Sequence, residues 1–212
     1  MNIYVIGTLV KLALIVIALI VGFIREEKLS NANRLFLFFL LVALPGEIMD
    51  ALMARIYENN FLYYHTYRPI YYALLTIALL GEMGRLKNAL KLSIGFVYIA
   101  AILNGYYLQP PTTSLNTIII VLTCLLLIIQ ILFYIARLFD RNNWQETIHQ
   151  YSFWIAMGIL INSISSFLSM GIHNFLSREG QVKVIPILIV SEWLFYLSFI
   201  INFTLQKKRV TG

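Results

Sequence analysis

Long apolar runs alternate with short polar breaks along the chain. A helix that crosses a bilayer needs roughly 20 consecutive, mostly apolar residues, and several runs reach about that length. The pattern predicts seven transmembrane helices, at about residues 3–24, 34–55, 67–83, 91–108, 115–137, 151–172 and 184–206. The breaks consist of charged residues, glycine and proline, as in Arg25-Glu26-Glu27-Lys28 after the first run and Gln109-Pro110-Pro111 after the fourth. Proline removes a backbone donor, so the second of these breaks ends a helix.

The composition supports a membrane protein. Of the 212 residues, 60% are apolar and 12% are charged, and the mean hydropathy is +0.79, which lies outside the range of soluble domains. The first run is too long for the apolar part of a signal peptide and has its charges after it, so we expect it to be a retained helix. We therefore predict one all-α integral membrane domain over residues 1–212, with no soluble catalytic domain.

Lysine and arginine predict the orientation of the helices, because cytoplasmic loops are enriched in these residues. With the N-terminus outside, the inner loops and tail hold eleven of them and the outer loops four. The inner set is Arg25, Lys28, Arg34, Arg85, Lys87, Lys91, Arg137, Arg141, Lys207, Lys208 and Arg209, and the outer set is Arg55, Arg68, Arg178 and Lys183. The prediction is an N-terminus outside and a C-terminus inside, in a bacterial inner membrane. The same rule accounts for the net charge of +6, so nucleic acid is not an expected partner.

Three ionisable residues fall at one depth in the predicted bundle. At 1.5 Å per residue, Lys11, Glu47 and Glu192 each lie roughly 12 Å below the outer end of their helix. Asn162 falls slightly deeper, and Asp50 falls one turn nearer the surface. A lone charge is costly in hydrocarbon, whereas opposite charges in contact keep each other ionised. We therefore predict one polar cluster of Lys11, Glu47 and Glu192, hydrogen-bonded to Asn162 and Asp50.

This cluster has two interpretations. It is either a buried network that fixes helix packing or a ligand-binding pocket open to the outside. Pro45-Gly46, just before Glu47, favours the pocket, because a proline in a helix frees backbone carbonyls that often line cavities.

Other polar and aromatic residues are candidates for the same pocket. His65 and Arg68 would either cap it with Asp50 or serve as ordinary interfacial groups, and Asn104 lies near the outer end of the fourth helix. Aromatic residues are concentrated on the outer side, where they form either an interfacial belt or an aromatic vestibule. They are Tyr57, Phe61, Tyr63, Tyr64, Tyr67, Tyr71, Tyr72, Tyr106 and Tyr107, of which Tyr72 is a candidate for ligand binding. Gln130 and Asn202, nearer the inner side, are expected to form hydrogen bonds between helices.

No metal or cofactor is predicted. An intramembrane zinc hydrolase needs about three histidines and a carboxylate around one ion. The chain has only His65, His149 and His173, and His149 falls on the inner side. A retinal protein would need a lysine in the middle of the last helix, and Lys183 lies at its outer end. The single cysteine, Cys124, excludes an internal disulfide.

Two stretches resemble a group of small seven-helix membrane proteins common in Bacteroidetes. They are Asn60-Phe61-Leu62-Tyr63-Tyr64-His65-Thr66-Tyr67-Arg68-Pro69-Ile70-Tyr71-Tyr72 and Phe153-Trp154-Ile155-Ala156-Met157-Gly158-Ile159-Leu160. Members of that group often have Glu at the position of Tyr71 and Tyr at that of Asn162, so this chain departs from the pattern there. The resemblance implies a sensory or signalling role, since such proteins are sometimes encoded beside histidine kinases.

We therefore expect a receptor-like or sensor-like protein that binds a small or amphiphilic ligand and signals to a cytoplasmic partner. Three alternatives are a transporter or channel using the same carboxylates, an intramembrane lipid-modifying enzyme with Glu47 and Asp50 as an acid–base pair, and a structural subunit of a larger complex.

Overall fold

The structure, a computed structural model, describes residues 3–141, 152–173 and 175–206. These residues form seven α-helices and no strand, so the all-α prediction is confirmed for the described part of the chain. The helices are α1 Ile3–Ile24, α2 Asn31–Ile56, α3 Phe61–Leu79, α4 Lys87–Leu103, α5 Thr117–Arg141, α6 Phe153–His173 and α7 Arg178–Leu205. Residues 142–151, which include His149, and the basic tail Lys207, Lys208 and Arg209 lie outside the described residues.

Six segments of the described chain are long and apolar enough to cross a bilayer. They are Ile3–Ile24, Asn31–Ile56, Gly84–Leu108, Thr117–Asp140, Phe153–Ile172 and Glu179–Leu205. They indicate an integral membrane protein. Helix α3 is not among them, because its first half contains His65, Thr66, Arg68 and several tyrosines. Seven spans and the orientation of the bundle therefore stay predictions.

Two helices begin six residues earlier than the sequence predicts. Helix α3 begins at Phe61 rather than 67 and ends at Leu79. Helix α7 begins at Arg178 rather than 184, because the side chain of Ser177 accepts a hydrogen bond from the Gly180 amide (3.3 Å) and caps the first turn. Lys183 and Glu179 add an ion pair of 2.7 Å along the same helix.

Six helices form a closed ring. Helix α1 packs against α2 and α7, α2 against α3, α3 against α5, α5 against α6, and α6 against α7. Helix α4 lies outside this ring and packs against α3 and α5. From Leu92 onward its exposed side chains, including Phe96, Ile99 and Ile102, are mostly apolar, as lipid contact requires, whereas its first turns expose Lys87, Asn88 and Lys91.

An aromatic core fills the ring between α2 and α7. Phe39 and Phe199 stack with their ring centroids 5.8 Å apart, and Phe195 meets the Phe199 ring edge-on at 5.1 Å. Phe36 and Phe203 extend this core along the same two helices, and none of the five side chains is more than 1% exposed. The Phe195 ring also contacts the ring of Tyr196, with centroids 4.9 Å apart, and the Tyr196 hydroxyl donates a hydrogen bond to Glu47.

Candidate functional site

Lys11, Glu47 and Glu192 meet in one ion cluster that joins three helices. The Lys11 ammonium on α1 lies 2.5 Å from Glu47 Oε2 on α2 and 3.2 Å from Glu192 Oε2 on α7. The three residues therefore come together as the depth calculation predicts. Whether the cluster binds a ligand stays a prediction at this point.

A close approach of α1 and α7 brings Lys11 to Glu192. A Cβ atom built on Gly7, one turn before Lys11, would lie 2.9 Å from Ile189 Cδ1, so the helices touch there. The indole of Trp193 donates a hydrogen bond to the Gly7 carbonyl (3.1 Å). Glycine at this position allows the contact, and the next turn of α1 carries the ammonium to the carboxylates.

The two carboxylates of the cluster differ in how many of their oxygens have a protein partner. Glu47 is only 12% exposed in its side chain, and its second oxygen, Oε1, accepts a hydrogen bond from the Tyr196 hydroxyl (3.0 Å). Glu192 is 35% exposed, and among the described residues its only partner is Lys11, through Oε2. Glu192 is therefore the member of the cluster with an oxygen available to a ligand.

A cavity of about 100 Å³ adjoins Glu192 and Glu47. Its walls come from five helices, and most of its lining residues follow stripes of three or four residues along one helix face. Helix α3 contributes Tyr63, Tyr64, Tyr67, Arg68 and Tyr71, α6 contributes Asn162, Ser166 and Met170, α7 contributes Leu188, Glu192, Phe195 and Tyr196, and α2 and α5 contribute Glu47 and Ile120. The cavity is therefore lined largely by aromatic side chains and by two carboxylates, of which Glu192 has an oxygen without a protein partner.

Tyrosines of α3 form the longest wall of the cavity. Tyr63 and Tyr67 stack with centroids 4.9 Å apart, and the Tyr71 ring follows at 6.1 Å. Gly46 makes room for them, because a Cβ atom there would lie 2.8 Å from Tyr67 Cε2 and 2.9 Å from the Tyr63 hydroxyl. The hydroxyls of Tyr63 and Tyr67 are buried and have no hydrogen-bond partner among the described residues.

Arg68 lines the cavity but is held by α5. Its Nε donates to the Thr123 hydroxyl and its Nη2 to Cys124 Sγ, both at 2.8 Å, and its guanidinium lies 5.0 Å from the centroid of the Tyr71 ring. Asp50 accepts a hydrogen bond from Asn60 (2.7 Å) at the end of α2. The predicted cap of Asp50 with Arg68 is therefore not formed, because each has a partner elsewhere.

Asn162 borders the cavity without contacting the ion cluster. Its side-chain amide donates to the Tyr71 hydroxyl (3.4 Å) and accepts from Ser191 (3.2 Å). The predicted hydrogen bond from Asn162 to the charged residues is thus replaced by a bridge between α3 and α7.

Three other predicted site residues do not line the cavity. Tyr72 hydrogen-bonds Ser93 (2.6 Å) and Gln130 (2.7 Å), because the residue after Tyr71 points about 100° further round the helix, toward α4 and α5. Asn104 lies in a π-helical turn after α4, and His65 contacts a loop carbonyl. The Asn104 amide donates hydrogen bonds to Asn116 (2.8 Å) and Gln109 (3.1 Å). The His65 ring contacts the Ser114 carbonyl (3.2 Å).

The hydrogen bonds predicted between helices for Gln130 and Asn202 are confirmed. Gln130 on α5 accepts from Thr76 on α3 (3.2 Å), and Asn202 on α7 donates to Asn33 on α2 (2.9 Å). Ser152, just before α6, joins Asn33 and Asn202 through its hydroxyl and its amide. This second polar group ties α2, α6 and α7 together at the end of the bundle opposite Lys11.

Several cavity residues were not among the sequence candidates, notably Phe195, Tyr196, Ser166 and Met170. Helical spacing could have identified two of them from the sequence. Tyr196 follows Glu192 by four residues and Ser166 follows Asn162 by four, which places each pair on one helix face. The tyrosines at 63, 67 and 71 have the same spacing, which a belt at the membrane surface does not require.

The cavity combines a carboxylate that has one oxygen free of protein partners with the faces of several aromatic rings. Among the described residues, no group of three or more His, Cys, Asp or Glu side chains could hold a metal ion. Comparison with protein-family models, with curated proteins and with solved structures finds no match for this chain.

Proposed function

We propose that this protein is a receptor-like or sensor-like membrane protein that binds a small ligand in the Glu192 cavity and signals to a cytoplasmic partner. The observation that carries the proposal is the unequal use of the two carboxylates beside the cavity. Glu47 is bound on both oxygens, whereas Glu192 has one oxygen free and borders the cavity. Helix packing alone does not account for the free oxygen of Glu192, whereas a ligand in the adjoining cavity would bind it.

The size of the cavity favours a small ligand over a long amphiphile. Pockets for drug-sized molecules have volumes of about 300–1,000 Å³. The volume of about 100 Å³ beside Glu192 is well below that range. The ligand, or the part of it that enters the bundle, therefore has only a few non-hydrogen atoms.

The aromatic core favours a binding site over a channel. Phe195 lines the cavity, and Phe39 and Phe199 pack directly against its ring at 6.0 and 5.1 Å. These side chains are fully buried and close the cavity toward the Asn33–Asn202 end of the bundle. A polar solute crossing the protein would have to displace them.

Helix α7 is the element that would transmit binding. It carries Glu192 at the cavity and Asn202, which hydrogen-bonds Asn33 at the opposite end. A shift of α7 on ligand binding would therefore reach the inner loops, where the predicted orientation places basic residues for a cytoplasmic partner. The resemblance to sensory seven-helix proteins of Bacteroidetes implies such a role and stays a prediction.

Native mass spectrometry of gently solubilised protein tests this proposal. Wild-type protein should retain a small molecule that Glu192→Gln loses, while Glu179→Gln, an exposed position on the same helix, retains it. Identical adducts in wild type and Glu192→Gln would contradict the pocket. A stoichiometric protein partner unaffected by Glu192→Gln, with no small molecule, would instead support a structural subunit.

A further inference from the structure

We infer that the ligand of the Glu192 cavity is a small organic ammonium ion, whose charged nitrogen binds Glu192 between the tyrosine rings. This inference rests on the proposed function and names the chemical class of its ligand. It starts from the charges of the cluster, because one ammonium, Lys11, serves two carboxylates. With both carboxylates ionised, one negative charge remains without a protein cation, and in this partly buried site either a proton or a cationic ligand neutralises it.

The uncompensated charge lies on the cavity side. Glu47 is engaged by Lys11 and Tyr196, so the second cation has to approach Glu192, whose side chain is the more exposed of the two. Lys11 already shows the kind of group that this environment accepts, since its ammonium binds the same carboxylate from the α1 side.

The cavity walls suit an ammonium ion with N–H donors. Aromatic faces attract cations, and rings of Tyr and Phe surround the space beside Glu192. Tyr63, which is 9% exposed, and Tyr67 line this space with their rings, whereas the Tyr63 hydroxyl lies against Gly46 of α2. The free oxygen of Glu192 accepts the N–H bonds of such a ligand.

Arg68, the positively charged residue in the cavity wall, is less suited to bind an anion than Glu192 is to bind a cation. The Arg68 guanidinium donates to Thr123 and Cys124 and lies over the Tyr71 ring, so it is directed toward α5. A carboxylate ligand would have to compete with these contacts and would face Glu192 across the cavity.

Ligand-observed NMR with protein in lipid nanodiscs tests the inference. The probes are ethylammonium, its neutral isostere ethanol and the anion acetate, at constant ionic strength, with empty nanodiscs correcting for partition into lipid. Ethylammonium is a minimal probe that reproduces only the charged end of a ligand and binds no more tightly than about millimolar, so the titrations extend well above that. Saturable binding of ethylammonium, without saturation by ethanol or acetate, is the expected result.

Variants then locate the binding. Glu192→Gln should weaken ethylammonium binding by about tenfold or more, whereas Tyr63→Phe, which keeps the ring that lines the cavity, should change it by less than about twofold. Glu179→Gln should leave it unchanged, because that carboxylate is exposed and pairs with Lys183. Equal binding of ethanol and ethylammonium, preferential binding of acetate, or ethylammonium binding that survives Glu192→Gln would overturn the inference.

The two proposals fail in different ways. An anionic or neutral molecule that co-purifies with wild type and is lost in Glu192→Gln would keep the receptor and exclude the ammonium ligand. If no small molecule co-purifies and ethylammonium does not saturate, both proposals are overturned.

Discussion

At the scale of single residues, Lys11 is the charge on which the cluster depends. It lies in a membrane-spanning helix and is 7% exposed, a position that lysine occupies only with partners. It has two carboxylate partners, from α2 and α7. Its ammonium therefore joins three helices, and the repulsion between Glu47 and Glu192 is offset only while it is present.

Replacing Lys11 with Met should destabilise the bundle. The change keeps the length of the side chain and leaves two neighbouring carboxylates without a cation, which costs about 3 kcal/mol even if one of them takes up a proton. Thermal unfolding in detergent, followed by tryptophan fluorescence, measures the loss. Lys183→Met is the matched control, because that lysine is 73% exposed and should tolerate the change. Equal stability of Lys11→Met and wild type would show that the ion cluster is not formed.

Replacing Tyr72 with Phe tests whether its hydroxyl stabilises helix packing or binds the ligand. The hydroxyl of Tyr72 accepts from buried Gln130 and contacts Ser93, away from the cavity. Its removal leaves the Gln130 amide without an acceptor and should lower the free energy of unfolding by about 1–3 kcal/mol. Ethylammonium binding should be the same as in wild type, as measured by the NMR titration. A loss of binding at unchanged stability would instead place Tyr72 in the site, as the sequence alone suggests.

At the scale of helices, glycines set where the elements touch. A Cβ atom on Gly158 of α6 would overlap the Ser198 hydroxyl and lie 2.7 Å from Ser198 Cβ and 3.3 Å from the backbone Cα of Phe195. Helices α6 and α7 therefore pack backbone to backbone, as small residues allow in membranes. Because this contact holds Asn162 and Glu192 on facing helices, the width of the cavity depends on it.

Gly158→Ala should separate α6 from α7. Overpacking of this kind lowers the free energy of unfolding by about 1–3 kcal/mol, which exceeds the stabilisation from the higher helix propensity of alanine. Gly171→Ala on the same helix is the control, since a Cβ atom there meets nothing within 4 Å and should leave stability unchanged or slightly raised. Unfolding midpoints of the two variants, in the same detergent, give the comparison. A larger loss for Gly171→Ala than for Gly158→Ala would contradict the packing.

The apolar pattern predicts the helices well and their ends less well. Runs of aliphatic residues such as Thr117–Arg141 are unambiguous, because few other structures accommodate them. The apolar pattern predicts the start of α7 six residues too late, since Arg178-Glu179-Gly180 has the composition of a loop and the cap by Ser177 forms only in the folded turn. The pattern also predicts the start of α3 six residues too late, because the tyrosines of its first turns face the interior rather than the membrane surface.

At the scale of the whole molecule, the sequence predicts how deep each site residue lies in the bundle. It does not predict which face of its helix points toward the cavity. Counting residues from the helix ends brought Lys11, Glu47 and Glu192 to one level, and the structure joins them. The faces of α3 could not be assigned in that way. Tyr71 borders the cavity and Tyr72 does not, and only the packing of α3 against α2 and α5 decides between them.

The orientation of the bundle is testable because the single native cysteine is fully buried. Tyr106, which is 79% exposed, lies at the same end as the start of α1, and exposed Glu27 lies at the other end. With the N-terminus outside, a membrane-impermeant maleimide should label Tyr106→Cys on intact spheroplasts. It should label Glu27→Cys only after permeabilisation, and wild type, with only Cys124, in neither case. The reverse pattern would place the cavity on the cytoplasmic side.

Infrared difference spectroscopy tests the central claim, that Glu192 is the ligand-facing carboxylate, most directly. Ethylammonium is perfused over a lipid film of the protein, and the carboxylate stretching bands are compared before and after. We expect a carboxylate difference band in wild type and in Glu179→Gln that is lost in Glu192→Gln. A band that persists in Glu192→Gln, or the absence of any carboxylate change in wild type, would contradict it.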